Sequence, residues 1–167
     1  MKTEKGFTTI EALIAIIVLV PFVIGTCEII MFGFRKATTA KVATTVSKII
    51  GIQGGTLNKA PDGYPGGEAG YYTPKELQTL IQKQLDTCGI QDGEWELLIN
   101  RQPIISSSMA KKTAELDWMT EIEVTLKSTY SWPLVSSILN TSIDTPLYSN
   151  RCMFSEWKYN YDEWQGE

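Results

Sequence analysis

Residues 5–34, KGFTTIEALIAIIVLVPFVIGTCEIIMFGF, form the longest apolar segment of this 167-residue chain. Residues 12–27 contain no charged side chain. The 28 residues from Phe7 to Phe34 would make about 42 Å of α-helix, whereas a bilayer core is about 30 Å thick. The segment is too long for the apolar region of an ordinary secretory signal, and it lacks a small-x-small cleavage site. It therefore predicts a membrane-spanning helix.

Apolar residues continue at helical spacing beyond this segment. They recur three and four residues apart through Val42, Val46 and Ile50, which predicts an amphipathic stem at residues 35–50. Three glycines, beginning with Gly51, are expected to end the helix.

Two residues interrupt the apolar character of the membrane segment. Pro21 lacks the N–H that would bond the Ile17 carbonyl, so we expect it to bend or loosen the helix. Glu28 is a second intramembrane acid, seventeen residues after Glu11. At about 100° per residue the two carboxylates face different sides of a helix. We place Glu28 at the membrane interface and leave open whether it contacts a partner helix.

Composition argues against enzymatic and nucleic-acid-binding functions. The chain has no histidine, which removes Ser-His and Cys-His nucleophiles and imidazole zinc sites. No phosphate-binding loop or metal-ligand spacing occurs, so no catalytic residue, metal or cofactor is predicted. A net charge of −4 provides no basic face for a nucleic acid backbone. We expect a structural or interaction protein.

The order Lys5-Gly6-Phe7-Thr8-Thr9-Ile10-Glu11, directly before the apolar run, resembles the leader of type IV prepilins and pseudopilins. The resemblance implies that prepilin peptidase removes residues 1–6 by cutting after Gly6, that Phe7 becomes the new N-terminus, and that Glu11 serves assembly. It implies one helix over residues 7–50, half in lipid and half packed on a globular head. It also implies a single-pass membrane protein with a cytoplasmic N-terminus, which an assembly platform protein extrudes into an extracellular filament of pilin subunits.

The charges at this junction have a physical logic of their own. A carboxylate in the apolar layer costs about 2.5–3.5 kcal/mol on insertion scales, so Glu11 should find a partner or take up a proton. Cleavage before Phe7 would create an α-ammonium that can pair with Glu11 of an adjacent subunit and set axial register. The plainer alternative is that Thr8-Thr9-Ile10-Glu11 is a capping box that starts a helix.

A second set of residues narrows the resemblance. The N-terminal signature of TadE-like pseudopilins of tight-adherence pili is similar to the pattern formed here by Glu11, Val20-Pro21, Gly25 and Glu28. A second match to these proteins is the segment from Ile122 to Tyr130 followed by Trp132-Pro133-Leu134-Val135. Together they cover about a third of the chain. The leader itself is closer to the general type IV kind, which leaves a competence-type or secretion-type pseudopilin open, as well as a main pilin.

Residues 51–167 are expected to form an extracytoplasmic α+β head. Thr73-Pro74-Lys75-Glu76 is a capping box with proline at the first helical position, and Gly89 ends the helix that follows. Alternating apolar residues predict strands at residues 94–100 and 116–130, with further strand pieces at 145–161. The predicted fold is a long N-terminal helix packed on a small antiparallel sheet.

The three cysteines are Cys27, Cys88 and Cys152. Because Cys27 lies in the membrane segment, we expect a disulfide between Cys88 and Cys152, with two free buried thiols as the alternative. Residues 24–27 also resemble a lipobox, so a membrane-anchored lipoprotein acylated on Cys27 is one alternative function. A signal-anchored extracellular binding module is another.

Overall fold

The computed structural model describes residues 4–65, 67–113 and 116–156, with side chains from residue 8 onward. Within these residues the helices are α1 (Glu4–Gln53), α2 (Pro74–Asp86) and α3 (Pro133–Leu139), and a 3-10 turn covers Gly67–Gly70. The strands are β1 (Trp95–Ile99), β2 (Gln102–Ser106), β3 (Met109–Ala110), β4 (Glu121–Ser131) and β5 (Asp144–Phe154). The predicted α+β fold, a long N-terminal helix packed on an antiparallel sheet, is confirmed.

The chain forms two compact units. The N-terminal unit comprises the described parts of residues 1–34 and 131–145, and so contains the first part of α1 together with α3. The head unit comprises the described parts of residues 35–130 and 146–167. The division between residues 34 and 35 coincides with the expected end of the membrane segment. Residues 131–145 were expected in the head but group with the N-terminal unit.

One hydrophobic core holds the head unit together. The predicted stem contributes Val42, Val46 and Ile50, all fully buried, as the spacing along the helix indicated. Other contributors include Leu77, Ile81 and Leu85 of α2 and Trp95, Leu97, Ile105, Ile122, Val124 and Leu126 of the strands. Because residues 42–50 of α1 share this core, the stem and the sheet fold as one body.

Helix α2 begins at the predicted capping box. The Thr73 hydroxyl accepts a hydrogen bond from the Glu76 N–H, and the Glu76 carboxylate accepts one at 2.8 Å from the Thr73 N–H. That backbone bond and a second from the Thr73 hydroxyl lower the pKa of Glu76. Gly89, with φ +72°, follows the helix in the left-handed conformation that glycine adopts without strain.

The strand order in the sheet is β3-β2-β1-β4-β5. Strand β1 pairs antiparallel with β2 on one side and with β4 on the other. The β1–β2 hairpin turns at Asn100 and Arg101, whose φ values of +50° and +65° match the two positive values that a type I′ turn requires. β4 alternates as predicted, with Ile122, Val124 and Leu126 facing the core.

Several predicted boundaries are wrong. Helix α1 continues through Gly51 to Gln53, because positive φ values first occur at Gly54 (+66°) and Gly55 (+131°). Strand β4 begins at Glu121 rather than at residue 116, since Met119, with φ +62°, forms a turn. Strands β2 and β3 were not predicted. β5 confirms strand structure over the first part of residues 145–161, and residues 157–161 lie outside the described residues.

Candidate membrane and assembly segment

The first part of α1 presents an apolar surface all round. Fourteen large apolar residues between Ile10 and Phe34 are each 47–72% exposed, which is unlike the helices of a folded core. Among the described residues, α1 is the helix that is long and apolar enough to cross a membrane. Signal sequences and the core helices of soluble proteins also meet this criterion of length and hydropathy. The exposure separates this segment from a core helix, since a core helix buries such residues.

The predicted leader junction lies at the start of this helix. The backbone of Gly6 and Phe7 is helical, while residues 1–3 and the side chains of residues 4–7 lie outside the described part of the chain. Glu11 is exposed among the apolar side chains. Thr8 lies inside the helix, which already includes Glu4, so the alternative of a capping box at residues 8–11 is wrong for the chain that still carries residues 4–7.

The helix continues without interruption through Pro21 and through Cys27, whose side chain is exposed. Proline at this point removes one backbone hydrogen bond. The hydroxyl of Thr26 donates to the Phe22 carbonyl at 2.8 Å, one turn earlier. Hydrogen bonds of this kind slightly weaken and bend a helix, so we expect Pro21 and Thr26 together to weaken α1 locally.

Glu28 is the buried acid of the N-terminal unit. It is only 3% exposed, and its Oε1 accepts hydrogen bonds from the backbone N–H groups of Leu134 at 2.6 Å and Val135 at 3.4 Å. These are among the first N–H groups of α3, which have no partner within their own helix. The residue at the N-cap, Trp132, makes no capping hydrogen bond with its side chain. A carboxylate supplied by α1 therefore caps α3.

An aromatic pair reinforces this contact one turn further along α1. The rings of Phe32 and Trp132 stack with centroids 5.4 Å apart and planes inclined by 21°. The indole N–H of Trp132 donates to the Thr145 hydroxyl at 2.8 Å, and its backbone N–H donates to the Ile143 carbonyl at 3.0 Å. Trp132 thus connects the two ends of the segment 131–145 by hydrogen bonds, and its indole ring packs on Phe32 of α1.

Arg35 anchors α1 within the head unit, a role that the sequence pattern did not predict. Its guanidinium lies 5.1 Å from the centre of the Tyr130 ring. It also donates to the carbonyls of Cys88 at 3.0 Å and Gly89 at 2.8 Å, just beyond the C-terminal end of α2. A cation beside the last carbonyls of a helix is favourable because of the helix dipole. The first cation after a long apolar run was the signal available in the sequence.

The predicted disulfide between Cys88 and Cys152 is wrong, because both residues are free thiols. Cys88 is buried in the core, and its Sγ donates to the Leu85 carbonyl at 3.1 Å. In β5 the residues Leu147 and Ser149 are buried and Cys152 is exposed. Because side chains alternate along a strand, Cys152 lies on the face of the sheet opposite the core. The sheet therefore separates the two thiols.

The two thiols of the head also differ in chemistry. Burial raises the pKa of Cys88. The pKa of Cys152 is raised by loss of hydration and by the neighbouring carboxylates of Glu121 and Glu123. A raised pKa keeps more of a thiol protonated near neutral pH and so slows its reactions. Neither cysteine has the environment of a nucleophile.

Within the described residues, no group of three histidine, cysteine or acidic side chains is placed to hold a metal ion. Comparisons with protein-family models, with curated proteins and with solved structures find no match for this chain. A functional proposal for this chain therefore depends on its own residues and their geometry.

Proposed function

We propose that this chain is a structural subunit, a pilin or minor pseudopilin, of a type IV-like or tight-adherence filament. It is held in the membrane by α1, processed after Gly6 and assembled through the N-terminal part of α1. The observation that carries the proposal is the exposed apolar surface between Ile10 and Phe34. Such a surface needs either lipid or the helices of other subunits around it, and a filament subunit uses both in turn.

The proposed assembly contact joins Glu11 to the free amine of Phe7 on a neighbouring subunit. Glu11 is exposed on a helix surface that is otherwise apolar, so an incoming subunit can reach it. Two unit charges 4 Å apart attract by about 4 kcal/mol at an effective dielectric of 20, before the cost of desolvation is subtracted. We therefore assign the pair to axial register and to partner choice more than to net stability.

The head unit supports the same proposal by coupling the helix to the sheet. Val42, Val46 and Ile50 of α1 are fully buried in the core that α2 and the sheet share. Arg35 adds two hydrogen bonds to the turn after α2. A force that draws α1 out of the membrane would therefore act on the folded head as well, as extrusion of a subunit requires.

Mass spectrometry of the N-terminus of protein purified from its native membrane tests the processing step. We expect a chain that begins at Phe7. A chain that begins at an acylated Cys27 would identify a lipoprotein instead, and a chain that begins at Met1 would identify a signal-anchored module. Either of these results would refute the proposal.

Glu11→Gln tests the assembly step, because it removes the charge and keeps the shape of the side chain. We expect the variant to insert in the membrane and to be absent from sheared filaments. Glu28→Gln is the matched control, since it neutralises the other acid of the segment while keeping an acceptor oxygen for α3. Filaments that incorporate the Glu11→Gln subunit normally would contradict the mechanism.

A further inference from the structure

The segment 131–143, which comprises the last residue of β4 and the connection to β5, has the composition of a membrane-associated element. Its thirteen residues, SWPLVSSILNTSI, include no charged side chain. Within it, α3 exposes Leu134 (42%), Ile138 (67%) and Leu139 (60%). Three exposed large apolar side chains on a seven-residue helix that has no buried residue need an explanation other than packing.

The place where α3 is held on α1 supplies that explanation. Glu28 and Phe32 bind the start of the segment, and all of these residues belong to the N-terminal unit. Glu28 lies seventeen residues after Glu11, which is about 26 Å along a helix, slightly less than a bilayer core of about 30 Å. With Glu11 near one boundary of the hydrocarbon, Glu28 and α3 lie near the other.

We propose that residues 131–143 form an interfacial membrane anchor, in which Leu134, Ile138 and Leu139 enter the boundary between acyl chains and headgroups of the outer leaflet. This inference rests on the membrane insertion of α1 proposed above. The occupant of the apolar face is lipid because α3 is held beside Glu28 and Phe32, where the neighbouring residues Ile29, Ile30 and Met31 of α1 are also exposed, on the same compact unit. Trp132 has the side-chain type that is enriched at this depth.

The anchor gives Glu28 a specific task. A carboxylate at the edge of the hydrocarbon requires hydrogen-bond donors, and the N–H groups of Leu134 and Val135 provide them. The same contact holds the start of α3 at the membrane depth of Glu28, near the end of the apolar run. The carboxylate of Glu28 thereby gains donors, and the first N–H groups of α3 gain an acceptor, at the same depth in the bilayer.

Fluorescence quenching of single labels in liposomes tests the anchor. The 167-residue chain is prepared with Cys27 and Cys152 replaced by serine and Cys88 by alanine, and one cysteine is introduced for a nitrobenzoxadiazole label. The label positions are Ile138→Cys in α3, Ile17→Cys in α1 and Asp62→Cys in the polar loop before α2. All three native residues are exposed. The liposomes contain phosphatidylcholine and phosphatidylglycerol at a high lipid-to-protein ratio, with brominated acyl chains or aqueous iodide as quenchers.

We expect the Ile138 label to lose emission to brominated lipid as the Ile17 label does, and to resist iodide. The Asp62 label should show the reverse. Iodide quenching of the Ile138 label, with lipid quenching of the Ile17 label intact, would overturn the anchor and leave the proposed function standing. Protection of the Ile138 label from both quenchers would also overturn it, by indicating a second copy of the chain as the occupant. Loss of lipid quenching at Ile17 would refute membrane insertion itself, and both proposals with it.

Discussion

Glu28→Ala is expected to release the start of α3 from α1. The substitution removes one hydrogen bond of 2.6 Å and a second, long contact of 3.4 Å to backbone N–H groups. A hydrogen bond to a charged group contributes about 1.5–3 kcal/mol, and the longer contact adds little. Because 1.4 kcal/mol is a factor of ten in an equilibrium constant, local opening of α3 should become about 10- to 150-fold more frequent.

Hydrogen exchange with mass spectrometry on the full chain in detergent micelles measures this opening directly. Peptides covering Leu134 and Val135 should exchange faster by that factor, whereas peptides covering α2 should not change. Glu28→Gln keeps an acceptor oxygen and should have a smaller effect. If the exchange of residues 133–139 is unchanged in Glu28→Ala, the carboxylate does not cap α3, and the reasoning that fixes the depth of α3 fails.

Three further predictions concern the head unit. Thr73→Ala removes the N-cap of α2 and should lower the free energy of unfolding, measured by chemical denaturation in micelles, by about 1 kcal/mol. Gly51→Val should lower the free energy of unfolding by about 1–3 kcal/mol, because a Cβ there would lie 3.0 Å from the Met153 Cε and 3.3 Å from the Phe154 carbonyl oxygen. Ile52→Val, at the neighbouring exposed position, is the control and should change this free energy by less than about 0.5 kcal/mol. In maleimide labelling, Cys152 should react in the native protein and its rate should rise with pH, whereas Cys88 should react only after denaturation; equal rates would contradict their placement on opposite faces of the sheet.

The sequence was informative wherever a local pattern determines structure. The capping box at Thr73 and the alternation along β4 involve residues close together in the chain, and both occur as predicted. The errors share a different cause. Gly51 was expected to end α1, but a glycine ends a helix only where the backbone turns to positive φ, which happens at Gly54. The two short strands β2 and β3 have too few alternating residues to give a pattern.

The features of the candidate membrane and assembly segment also fall into those that a local pattern determines and those that it does not. The sequence by itself determined the apolar run, its two acids Glu11 and Glu28, the proline within the run and the absence of histidine, because these are properties of composition and spacing. Only the tertiary structure decided that Glu28 caps a helix 106 residues further along the chain, that Arg35 binds the turn after α2, and that the sheet separates Cys88 from Cys152. Each of these three features relates residues that are far apart in sequence. They are fixed by the register of the strands and by the path of the connecting loops, and no local periodicity of the sequence encodes either one.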